Sequence, residues 1–134
     1  MVVDAREYLQ RIERNKATII NKQIEKKYWL EMAEGTSVNV GTERVQSSGN
    51  PHKMESKVLE AVTIDEQIEK LKQEIADIIH TIERLKPSEY QVLHKIYVQN
   101  QSLKEIQAAE GKSYSWVTTT HAKAIKSLQR ILDE

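Results

Sequence analysis

The sequence predicts an all-α protein, with a long N-terminal helical hairpin of coiled-coil character followed by a compact trihelical helix-turn-helix domain. Three observations predict it. Residues 4–34 hold neither Gly nor Pro and space their apolar residues at the helical period. Ile64, Ile68, Leu71, Ile75, Ile78, Ile82 and Leu85 alternate steps of four and three, which is a heptad seam. Residues 85–132 place short apolar-periodic runs on either side of Ser102, Gly111 and Ser113, the punctuation of two helices joined by a tight turn.

The first helix carries Tyr8, Leu9, Ile12, Ile19, Ile20, Ile24, Tyr28, Trp29 and Leu30 among many charges, with polar Asn15 and Lys16 interrupting its apolar side. Tyr28 and Trp29, near its end, are expected to anchor the hairpin. Residues 35–51 then hold three glycines, a proline and only Val38, Val40 and Val45 as apolar content. Too polar to make a core, the stretch at about 35–53 is predicted to be a mobile loop. The heptad helix that follows needs a partner, because an exposed isoleucine stripe of that length is an association surface. Either the first helix folds back over it, or seams from two chains pair, directly or as two hairpins in a four-helix bundle. The two arrangements are compatible, and a homodimer through the 64–85 heptad helix is expected.

Pro87 ends or kinks the heptad helix, since it donates no ladder hydrogen bond and disfavours a helical residue before it. It then suits the first turn of a helix over about 88–98, whose Val92, Leu93, Ile96 and Tyr97 supply the third side of a trihelical core. Ser102 is placed to cap the next helix, and Gly111 to end it in the left-handed conformation. Ser113 caps the last helix, in which Val117, Ala124, Ile125, Leu128, Ile131 and Leu132 make one buried face. So short a glycine turn forces a steep crossing and leaves the start of the last helix projecting, where it can enter a major groove.

Charge and composition narrow the function. Residues 112–132 contain four cations, Lys112, Lys123, Lys126 and Arg130, and no carboxylate, which attracts phosphates without self-generated repulsion. Residues 58–84 reverse the balance with seven acids against three bases. With twenty acids against twenty bases overall, the chain is no general polyanion coat, and DNA binding by it would be local and weak as one copy. At 134 residues, 39% hydrophobic and without Phe, it has room for one small domain and an extended element. The absence of Cys rules out disulfides and thiolate metal sites. No apolar run approaches the roughly 20 residues that span a bilayer and the N-terminus lacks a secretory apolar region, so no membrane partner and a cytoplasmic location are expected. His52, His80 and His94 lack metal-ligand spacing, and His121 falls on the core-facing stripe as a packing histidine. There is no glycine-rich phosphate loop, no HExxH and no nucleophile in a recognisable setting, which points away from an enzyme and toward no cofactor.

The pattern Leu85, Glu89, Val92, Leu93, Tyr97, Ser102-Leu103-Lys104-Glu105-Ile106, Gly111, Ser113, Val117, Ala124, Ile125 and Leu128 resembles region four of bacterial sigma factors, the module that reads a promoter's upstream element. The whole chain is similar to small phage proteins that join a helical N-terminal part to such a module, among them the ArpU and RinA type late transcriptional regulators. That similarity rests on the order of helix, polar loop and heptad helix and on Val45-Gln46-Ser47-Ser48 in the loop. It implies a phage or prophage regulator of late genes, acting in the bacterial cytoplasm on double-stranded DNA and in contact with RNA polymerase. Carried over residue by residue, the base-reading positions are Tyr114, Ser115, Thr118 and Thr119, with Lys112, Lys123 and Lys126 beside them. Helical geometry turns Ser115, Thr118, Thr119, Lys123 and Lys126 outward and puts Tyr114 nearer the core side, at the helix tip. Hydroxyls and a tyrosine stand where sigma factors often have arginine, so readout would lean on thymine methyls, single hydrogen bonds and DNA shape. Trp116 suits either DNA contact or the edge of the core. Two other readings fit the same elements: a small-terminase-like packaging component, and a sigma-like module that docks on polymerase without touching DNA.

Overall fold

The computed structural model describes residues 3–34 and 51–134, with side chains over 3–34 and 55–134. All regular structure among the described residues is helical. The order is α1 (Ala5–Glu34), α2 (Pro51–Ile82), α3 (Pro87–Leu93) running into a π-helical turn (His94–Val98), α4 (Leu103–Glu110) and α5 (Tyr114–Leu132). The loop expected at 35–53 lies outside the described residues except for 51–53, which already belong to α2. The chain divides into two compact units, residues 1–16 with 73–134, and residues 17–72.

In the first unit Asp4 caps α1, its Oδ2 accepting from the Glu7 amide at 3.0 Å. Ala5, Leu9 and Ile12 on α1 share one core with Ile78 and Ile82 of α2, Leu85, Leu93, and Ala124 and Leu128 of α5. The core is therefore larger than the trihelical one the sequence suggests. Residues 85–134 bury Val92, Ile106 and Val117 among α3, α4 and α5, and the hairpin's base closes the remaining side. The compact unit accordingly begins before residue 85 and reaches back to the start of the chain. Tyr8 donates to the Thr81 hydroxyl at 2.9 Å and Asn15 to Glu74 Oε1 at 3.2 Å, pairings that run α1 antiparallel to α2.

Asn15 and Lys16, which interrupt the apolar side of α1, have structural partners. Asn15 reaches α2, and the Lys16 ammonium donates to the Val98 carbonyl where the π-helical turn ends. That carbonyl is one of the acceptors every helix end leaves unpaired. The π turn itself is absent from the sequence expectation of one helix over 88–98. The Gln99 amide bonds back five residues to His94, and Asn100 then turns the chain with φ +55°, which asparagine tolerates better than most residues.

The described residues of the second unit are two helix segments. Lys26 of α1 and Asp65 of α2 form an ion pair at 2.8 Å, again in antiparallel order. Ala33, Ala61, Ile64 and Ile68 are its buried apolar residues among those described. Trp29 is half-buried and Tyr28 lies edge-on to it at 5.4 Å, but Tyr28 itself is 53% exposed. In both units the heptad seam is used inside the chain. Ile64 and Ile68 are buried in one unit, and Ile78, Ile82 and Leu85 in the other. Direct pairing of two copies through that seam, as expected for a 64–85 homodimer, is thus unavailable while the hairpin is closed.

Candidate nucleic-acid interface

The turn that aims α5 is built from local chemistry. Ser102 accepts from the Glu105 amide at 3.1 Å while Glu105 accepts from the Ser102 amide at 2.8 Å, a reciprocal capping box on α4. Hydrogen bonding from Ser102, its backbone amide first and its hydroxyl second, holds the Glu105 carboxyl below its ordinary pKa. Gly111 ends α4 at φ +64° and ψ +31°, a conformation in which any Cβ is strained even though the space is open. Ser113 then caps α5, accepting from the Trp116 amide at 3.0 Å. Two helices and a three-residue turn thus hold the start of α5 at the surface.

Lys112, Tyr114, Ser115, Thr119, Lys123 and Lys126 are all exposed. From Ser115, steps of four and seven reach Thr119 and Ala122, and four more reach Lys126, so these residues line the outer face of one helix. Tyr114 stands half-exposed at the tip, as its position implies. Thr118 differs from the expectation. It is half-buried and its hydroxyl donates to the Ser115 carbonyl at 3.1 Å, because one residue past Val117 it sits on the flank of the helix. Its hydroxyl hydrogen is committed to the backbone. Ala122, which sequence reasoning passed over, is exposed between Thr119 and Lys126. An alanine there lets another surface approach closely, and its only signal in the sequence is helical phase.

Trp116 is half-buried, and the Lys112 ammonium lies 5.4 Å from its ring centroid. The ring's face steadies that cation. Behind the outer face, Tyr97 and His121 stack with centroids 5.9 Å apart, and the tyrosine hydroxyl meets His121 Nε2 at 2.9 Å. His121 is a packing histidine whose pKa is lowered, first by burial and then by Arg6. Burial raises the Tyr97 hydroxyl correspondingly. A neutral imidazole that accepts from the phenol satisfies both groups.

Among the described residues no three His, Asp or Glu side chains gather to hold a metal ion, and no helix is long and apolar enough to cross a membrane. No protein-family model, curated protein or solved structure matches this chain. The outer face of α5 is polar and basic. It offers small hydroxyls, an alanine, three lysines and no carboxylate between Lys112 and Leu132.

Proposed function

We propose that the protein is a sequence-selective, double-stranded-DNA-binding regulator of transcription of the sigma region-four-like phage type, acting on late genes. The observation that carries this reading is the outer face of α5, where Ser115, Thr119 and Ala122 lie between exposed lysines on a capped helix start. A helix so mounted enters the major groove with its first turns against base edges. Ser115 and Thr119 supply single hydrogen bonds, and the Ala122 and Thr119 methyls meet thymine methyls. Lys112, Lys123 and Lys126 neutralise phosphates and set register without reading sequence. Because Thr118 donates to its own backbone, its contribution to readout is smaller than that of Thr119.

The half-exposed Tyr114 beside Lys112 and Trp116 favours a further contact with a protein, for which bacterial RNA polymerase is the partner that fits a promoter-reading module. The test is sequence selection from random duplexes with the purified chain at two salt concentrations. Ser115→Ala/Thr119→Ala is expected to abolish enrichment while leaving non-specific binding intact. Thr118→Val keeps most of it, and Lys123→Ala/Lys126→Ala weakens all sequences alike and lowers the salt slope by about one per lysine. Enrichment that survives Ser115→Ala/Thr119→Ala removes α5 from the groove and leaves it a protein-docking surface.

A further inference from the structure

Among the described residues, exposed large apolar side chains concentrate in the second unit. Eight large hydrophobics are exposed among the described residues, and seven of them, Ile20, Ile24, Tyr28, Met32, Val58, Leu59 and Val62, lie in residues 17–72; the eighth is Tyr114. Four of the seven are spaced four apart on α1: Ile20, Ile24, Tyr28 and Met32 are 57%, 64%, 53% and 45% exposed. Residues four apart form a continuous ridge on a helix, the kind that packs into the matching groove of a like helix. The seam residues that hold the hairpin together are different ones, so this ridge is free while the hairpin is closed.

We propose that the Ile20–Ile24–Tyr28–Met32 ridge is a self-association surface, and that it pairs with the same ridge of a second copy of this chain. Area supports that occupant. Four large side chains about half exposed offer roughly 400–500 Å² per copy, and two ridges with flanking Ala17, Asn21 and Lys27 reach the ~1,200 Å² at which stable interfaces begin. Among the described residues of this unit only Ala33, Ala61, Ile64 and Ile68 are buried apolar side chains, two of them alanines. Two helices enclose no core, and a second hairpin supplies the missing layer as a four-helix assembly with the α1 helices at its centre. The ridge is bordered by Lys27, Glu25 and Glu31, charges of both signs, so two copies meet without a single-sign field between them.

The experiment is sedimentation equilibrium of the full chain without DNA, with far-UV circular dichroism in parallel. The parent is expected at twice its 15.5 kDa mass. Ile24→Glu/Tyr28→Glu is expected to raise the dissociation constant at least about 30-fold, the loss of a central interface anchor, with helicity unchanged. Should the glutamates lower helicity, Ile24→Ala/Tyr28→Ala uses the strongest helix former and is expected to act in the same direction. Val62→Glu, on α2, leaves the dimer intact. A parent monomeric at micromolar concentration, a closed ring of more than two copies, or a dimer indifferent to both ridge variants overturns the proposal. DNA binding is read separately. A ridge dimer that enriches no sequence sinks the regulator reading alone, and a monomer that enriches one sinks the ridge alone.

Discussion

Tyr97 and His121 illustrate how one pair of residues ties packing to solution conditions. Burial keeps His121 neutral below its ordinary 6.5, and His94 is held down likewise, by burial first and then by Lys16 and Lys95. In the unfolded chain both imidazoles take up a proton as pH falls through 6.5, while the folded chain resists. The unfolded state therefore binds more protons in that window, and the stability these histidines contribute is full above it and lost as pH falls toward their folded values. Urea midpoints are expected to be lower at mildly acid pH than at slightly alkaline pH. His121→Gln flattens that slope in part and His94→Gln/His121→Gln flattens it further; a double variant as pH-sensitive as the parent removes the histidines as the cause. That His121 would pack was legible from its place between Val117 and Ala124. That Tyr97 faces the core was legible too; that its hydroxyl meets His121 was not, because the two lie 24 residues apart on different elements.

At the scale of elements, α1 shows why its polar residues were hard to place. Ile12, Ile19, Lys26 and Ala33 recur every seven residues, and the lysine stands where an apolar residue would continue the line. It pairs with Asp65 at 2.8 Å with both side chains well exposed, and such a pair contributes only about 0–1 kcal/mol. A polar residue at a seam position costs stability and specifies register. Lys26→Ile is accordingly expected to raise the thermal midpoint by a few degrees, on the order of 1 kcal/mol for a chain of this size. Asp65 is exposed enough to stay solvated when its partner is lost. A lower midpoint would mean that the ion pair outweighs the apolar contact. The helices themselves were legible, since α2 announces itself by its heptads and α4 and α5 by Ser102, Gly111 and Ser113, all three of which act as their chemistry requires. Lys16 was not, because its acceptor is a carbonyl 82 residues away.

Over the whole molecule, the two ends of the chain are joined. The Gln129 side chain accepts from the Ala5 amide at 2.9 Å and donates to the Val3 carbonyl at 2.7 Å, and Arg84 pairs with Glu134 at 3.0 Å. Leu9, Ile12, Ile78 and Ile82, all buried, belong to the same core as Leu93 and Leu128. At about 2 kcal/mol each they account for roughly 8 kcal/mol of burial, comparable to the ~5–15 kcal/mol that a domain has in total. A fragment of residues 85–134 is therefore expected to show no cooperative thermal transition, whereas the full chain does; a fragment that melts cooperatively would make the trihelical part autonomous. The boundary near residue 85 marks a change of sequence pattern, and packing does not respect it. Sequence alone determined the all-helical class, the heptad helix, the caps and the charge of the last helix, because each follows from neighbours a few residues apart. Tertiary structure alone decided that α1 covers the isoleucine seam, that Lys16 closes the π-helical turn, and that Ile20, Ile24, Tyr28 and Met32 are left uncovered. Those outcomes depend on which of two apolar stripes on one helix meets a partner far along the chain, and periodicity describes both stripes equally well.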